Sequence, residues 1–206
     1  MKKGSLFKGL GLHLVLALAI VLFAAQHANL SAEPTQQLSG QLLVAQPDLK
    51  DPNFQQSVIY LVEHDDGGAF GLVVNQFVAR LPLKVVAEHF DMEETADTPL
   101  TFHYGGPVSP AALFVLHSDD VMLDNSLDLQ HGLALSGNAN ILQQIAEEEG
   151  PSRFRIVFGY AGWGPGQVEA EIAAGTWEVI DYDPDLVFGD DLESWEEAID
   201  RRPLDL

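Results

Sequence analysis

The chain predicts a single α+β domain with a mixed, bent sheet. β-branched apolar runs cluster early around a hairpin signal, and a strand–helix–strand unit stands late. The two element types do not alternate regularly, which argues against a doubly wound nucleotide fold. With 206 residues, 47% of them hydrophobic, the chain can bury one substantial core and needs no second.

Each element follows from local pattern. LLVAQ (42–46), SVIYLVE (57–63) and FGLVVNQ (70–76) are apolar runs bounded by Asp, Pro and Gly, and read as strands. Between the last two, His64-Asp65-Asp66-Gly67-Gly68 is a hairpin signal. LPLKVVAEHF (81–90) sets Leu83, Val86, Ala87 and Phe90 at helical spacing. FHYGGPVSP reads as turns, and ALFVLHS (112–118) returns as a strand. A helix follows with Asn138 as N-cap, an apolar stripe of Ile141, Leu142 and Ile145, and a stop at Gly150-Pro151. Glutamates at 147–149 crowd its C-terminal end, where the helix dipole disfavours them. FRIVFGYA (154–161) is a strand, a glycine junction leads into a helix from Pro165 to Ala174 closed by Gly175, and TWEVID (176–181) is the next strand. DDLESWEEAIDR forms a final acidic helix with Trp195 and Ile199 on one face.

Composition excludes several functions. Asp+Glu 31 against Lys+Arg 10 gives a net charge of -21, and Lys2, Lys3 and Lys8 sit in the first eight residues. Such a surface repels phosphate backbones, so direct nucleic-acid binding is not expected. The absence of cysteine excludes disulfides, thiolate catalysis and Cys-based zinc sites. The N-terminus has the layout of an export signal: a lysine-rich start, an apolar stretch over 10–25, then small residues. As a helix, sixteen residues span about 24 Å, short of a hydrocarbon core of about 30 Å, which favours a removable signal over a permanent span. The best cleavage site follows Ala32, with Leu30 where a small residue is usual, so a membrane tether through residues 10–25 is the alternative. Residues 1–32 are therefore read as signal or anchor, 33–39 as a polar linker and 40–206 as the domain. The expected location is periplasmic or exported, possible anchoring included; it is cytoplasmic if the leader does not function.

The junction FGYAGWGPGQVEAEI (158–172) is the most unusual stretch, with Gly162, Gly164 and Gly166 at alternate positions. Backbone N–H groups near Gly166 and Gln167 would be open to an anion at a helix start. The spacing is nonetheless neither the dinucleotide fingerprint nor a P-loop. The competing reading is a close strand-to-helix crossing that only glycine permits, with Trp163 packed beside it. Gln167 and Glu171, four apart, share a helix face.

Other chemistry is sparse. His64, His103, His117 and His131 make no short ligand pair. DYDPDLVFGDDLE resembles a calcium loop at Asp181, Asp183 and Asp185, but Leu186 and Leu192 occupy the positions that need Gly and Glu, so a solvated acidic turn is expected. Ser118, next to His117 in a strand, points to the opposite face, and no nucleophile elbow is present. No metal or cofactor is expected.

Taken in order, LLVAQPDLKDPNFQQSVIYLVEHDDGGAFGLVVNQ, FHYGGPVSPAALFVLHS and FGYAGWGPGQVEAEI resemble the AlgH/YqgE family of bacterial proteins over residues 39–206. The resemblance implies a single α+β domain whose branched sheet curls into a pseudo-barrel with helices outside. It implies no established reaction or cofactor, and one branch of the family carries a transcriptional-regulator label. The polar and glycine positions it singles out, and the candidate binding residues, are His64, Asn75, Gly105, Gly106, His117, Tyr160, Trp163, Gly164, Gln167 and Glu171. The chain departs from the family pattern at Asn75-Gln76-Phe77, at Ser136-Gly137-Asn138-Ala139-Asn140, where a carboxylate is replaced, and in its leader. The expected function is a non-enzymatic regulatory or binding domain that meets an unidentified protein or small molecule near residues 160–167. A hydrolase-type enzyme built from His64, His117 and Glu171 is the first alternative, and an assembly protein with an exposed apolar patch the second.

Overall fold

The structure, a computed structural model, describes residues 37–87, 90, 92 and 97–201, apart from the side chain of Leu192. The leader and the first part of the linker lie outside these residues. No described helix is long and apolar enough to cross a membrane.

Among the described residues ten strands form one sheet. They are β1 (Leu42–Ala45), β2 (Val58–Asp65), β3 (Gly68–Val73), β4 (Phe77–Pro82), β5 (Pro99–Tyr104), β6 (Val108–Ser118), β7 (Leu127–Asp128), β8 (Leu133–Ser136), β9 (Phe154–Trp163) and β10 (Trp177–Ile180). Five helices accompany them among the described residues: α1 (Leu83–Ala87), α2 (Asn140–Ala146), α3 (Gln167–Ala173), α4 (Pro184–Phe188) and α5 (Asp191–Asp200). The main path runs β10-β1-β2-β3-β9-β6-β8-β7, and β5 branches from β9 with β4 on its far side. The β5–β9 pair is parallel and all other pairs are antiparallel. The sheet is thus mixed and branched, as the family resemblance implied.

Why the early strands read as continuous apolar runs is visible in the packing. Leu42 and Val44 of β1 enter one core cluster while Leu43 and Ala45 enter another on the opposite face. A sheet covered on both sides buries every position, so alternation disappears. The Asp66-Gly67 turn joins β2 to β3 with Asp65 paired to Gly68, the hairpin the sequence signalled. A third cluster places α1 and α2 against β5, β6 and β9 through Leu83, Ile141 and Ile145.

Several sequence-based boundaries shift. FHYGGPVSP is not all turn, because Phe102 and His103 belong to β5 and pair with Ile156 and Val157. Chain reversal is confined to residues 105–107, and β6 starts at Val108 with an irregular register up to Leu113. Leu81 and Pro82 end β4 before the short α1 begins. The Asn138 side chain accepts the Asn140 N–H at 3.0 Å, but the residue flanking α2 is Ala139. Pro165 precedes α3, whose flanking residue is Gly166 at φ +71°. The acidic segment expected to be a solvated turn contains α4, capped by Asp183 and anchored by fully buried Leu186 and Val187.

Candidate functional site

Two of the glycines singled out in the sequence, Gly105 and Gly106, build the sheet's branch point together with Gly159. Residues 156–158 of β9 pair with β5, whereas residues 161–163 pair with β3. The handover occurs at Gly159, whose φ of +74° redirects the strand. A Cβ there would lie 2.3 Å from the Gly106 carbonyl oxygen, and one on Gly105 would lie 2.3 Å from the Gly159 carbonyl oxygen. Gly106, at φ +148°, comes still nearer, with a Cβ 2.1 Å from the Tyr160 carbonyl carbon. Backbones meet here at a distance no side chain permits.

The corner that follows is a buckle of mutually satisfied groups. Glu171 Oε2 accepts the indole N–H of Trp163 at 2.9 Å and that of Trp177 at 2.7 Å. Its Oε1 accepts from Gln167 Nε2 at 2.9 Å, and Gln167 Oε1 in turn accepts the Gly164 N–H at 3.1 Å. Phe54 packs on both indoles. The structure therefore brings Trp163, Gly164, Gln167 and Glu171 together and directs their polar atoms at one another, while Gly164 to Gln167 stay exposed. Tyr160, on the other face of β9, packs against Phe70 and Phe114.

The remaining candidates are separate. His64, buried, accepts the Leu38 N–H on Nδ1 at 3.2 Å, which leaves Nε2 to donate to Glu169 Oε1 at 3.0 Å. Asn75 ties the β3–β4 bend to β2, accepting from the Val58 N–H and donating to the Gln56 carbonyl. His117 donates from Nδ1 to the Ser118 carbonyl at 2.8 Å and accepts on Nε2 from Ser136 at 2.9 Å; Ser136 also meets Ser126 at 2.7 Å. Burial pushes the His117 ring below its ordinary value of 6.5, which outweighs the opposing pull of the Ser118 carbonyl and nearby aspartates. Each of His64, His117 and Glu171 has its own partners, and no hydrogen bond joins the three into the cleft that a hydrolase would need.

A cavity of about 750 Å³ opens elsewhere, between β4, β5, the start of β9 and the α4–α5 junction. Its floor holds Arg155, Asp191 and His103. Arg155 Nη1 donates to Asp191 Oδ1 at 2.6 Å and to His103 Nε2 at 2.7 Å. The same guanidinium donates from Nε to the Val187 carbonyl and from Nη2 to the Gly189 carbonyl, each at 2.9 Å, and so holds the end of α4. His103 donates from Nδ1 to the Ile156 carbonyl at 3.0 Å, and its Nε2 also lies 3.0 Å from Asp191 Oδ2. Burial draws the Asp191 carboxyl upward, but the polar contact with His103 and the charge and hydrogen bond of Arg155 outweigh it and hold the group below its ordinary value. Burial lowers Arg155 against the pull of Asp191. Phe77, Phe154 and Phe188 form the walls, with Phe77 58% exposed.

Sequence reasoning reached Asn75 and weighed His103 only as a zinc ligand; it missed Arg155 and Asp191. The available signal was the arginine inside the otherwise apolar run FRIVFGYA, since a charge in a buried strand requires a partner.

Comparison with known proteins bears on the whole domain. Residues 42–206 match a family model described as AlgH-like. A UPF0301 protein of Methylococcus capsulatus is 41% identical over 169 residues, covering 82% of this chain and 93% of its own. A UPF0301 protein of Ruegeria pomeroyi is 42% identical, covering 79% and 90%. Among solved structures, the AlgH protein from Pseudomonas aeruginosa aligns with TM-score 0.69 and 34% identity over 84% of this chain and 92% of that one. A Corynebacterium diphtheriae protein aligns with TM-score 0.63 and 26% identity over 89% and 94%.

Proposed function

This chain belongs to the AlgH-like family, and on that premise we propose that it is a non-enzymatic ligand- or protein-binding domain whose site is the cleft above Arg155, Asp191 and His103. The observation that carries this reading is the pairing of exposed aromatic walls with a floor whose hydrogen bonds are already made. Four of the guanidinium N–H groups are in use on protein acceptors. A carboxyl held below its ordinary value is a poor proton acceptor near neutrality, so the cluster suits holding a guest better than moving a proton. Concave sites of this size, largely apolar with a few fixed polar groups, are where proteins bind ligands.

The exposed corner at residues 160–167 is the second reading, favoured by the exposure of Gly164 to Gln167. A fragment screen followed by amide NMR mapping separates the two. Hits are expected to shift Phe77, Thr101, His103 and Gly189 and to be lost in Phe77→Ala. Hits that instead map to residues 164–171 and disappear in Gln167→Ala overturn the cleft reading. The leader-like first 32 residues support an exported or membrane-tethered setting for this binding. N-terminal sequencing of fractionated cells tests that: a mature chain starting near Glu33 or an intact chain in the membrane fraction is expected, and intact chain in the cytoplasm overturns it.

A further inference from the structure

We infer that the cleft recognises an arginine side chain in a basic, apolar-flanked segment of a partner protein. The inference rests on the cleft being the binding site and adds the chemistry of the occupant. The sign of the guest's charge comes first. Arg155 faces both Asp191 and Asp190, so among the described residues carboxylates outnumber the guanidinium at the floor, within a chain of net charge -21. An anion would need paired donors, yet most of the Arg155 N–H groups are spent on Val187, Gly189, Asp191 and His103. What the floor presents beyond those bonds is negative charge: Asp191, whose carboxylate accepts from Arg155, and Asp190 beside it, with Thr101 in the lining. A guest carrying N–H donors and positive charge matches that set.

The walls narrow the cation further. Phe77, Phe154 and Phe188 supply aromatic faces, on which a planar guanidinium stacks more readily than a compact, strongly hydrated ammonium. A partner segment, as opposed to a free amine, follows from the rim. Phe77 and Val78 at the β4 bulge are 58% and 57% exposed, and Phe154 is 37% exposed. This apolar surface extends past the floor, and a small cation would leave it wet. A cavity of about 750 Å³ is also far larger than one guanidinium head requires. Simple strand addition along β4 fits less well, because its bulge between Phe77 and Ala79, together with Arg80 and Pro82, blunts that edge.

Three probes added to the full-length, isotopically labelled protein test the inference by NMR titration. They are acetyl-Leu-Arg-Leu-amide, its citrulline counterpart of equal shape and no charge, and agmatine, which carries the same head without a peptide. The arginine peptide is expected to shift Phe77, Thr101, His103 and Gly189 and to bind about tenfold tighter than either of the others. Its affinity should fall as salt rises from about 50 to about 300 mM, and fall again about tenfold in Phe77→Ala. Phe77 is exposed, so its removal leaves the fold intact. Equal binding of the citrulline peptide in the cleft sinks the charge argument while leaving the site standing. Equal binding of agmatine overturns the partner segment. No shift in the cleft with any probe removes both the inference and the site.

Discussion

At the scale of single residues, position decides what a glycine is worth. Gly159 and Gly166 share a left-handed backbone, at φ +74° and +71°, but a Cβ on the first would collide with the Gly106 carbonyl while one on the second meets nothing within 4 Å. Gly166→Ala should therefore cost only the conformational strain, about 1 kcal/mol. Gly159→Ala adds a backbone collision and should cost about 3 kcal/mol or prevent folding. Urea midpoints of the two variants check the difference. His117 gives a pH signature at the same scale. Its folded-state affinity for a proton is lowered, so below the ordinary value of 6.5 the unfolded chain binds more protons than the native one. Stability should fall as the solution is acidified from about pH 7 to about pH 5, and the fall should be shallower in His117→Gln. Urea midpoints at the two pH values, wild type against variant, give the slope.

Among the elements, the corner between β9 and α3 depends on one carboxylate. Glu171→Ala would leave two largely buried indole N–H groups without an acceptor, a loss of about 3 kcal/mol at about 1–2 kcal/mol each. Glu171→Gln keeps an acceptor oxygen and should recover a good part of it. Unfolding followed by tryptophan fluorescence measures both. The same elements show where sequence is readable. β1, β2 and β3 were legible because their apolar runs and the Asp66-Gly67 turn are local signals. β4 escaped because its residues are largely exposed and include Arg80 and Pro82, so no apolar pattern marks it. α4 escaped because its flanking aspartates hide the Leu186-Val187 pair that anchors it. The cleft was the hardest to foresee: Arg155 and Asp191 lie 36 positions apart and belong to no motif, and only the branch of the sheet brings His103 beside them.

For the molecule as a whole, charge and topology set the behaviour. With net charge -21 the folded state repels itself, and salt screens that repulsion. The melting temperature should rise by several degrees between about 10 mM and about 500 mM sodium chloride, where the screening length shrinks from about 30 Å to under 8 Å. A melting temperature that is flat or falls over that range would mean that attractive ion pairs such as Arg155–Asp191 dominate instead. Architecture adds a constraint in time. β9 is the common neighbour of β3, β5 and β6, and all three precede it in the chain. A ribosome that has released only the first 150 residues has extruded eight strands, three of them still missing the rail they share. Such non-local closure is slow. The local pairs β1–β2–β3, β4–β5 and β6–β8 can form early, but they are joined into one sheet only after residues 154–163 have emerged.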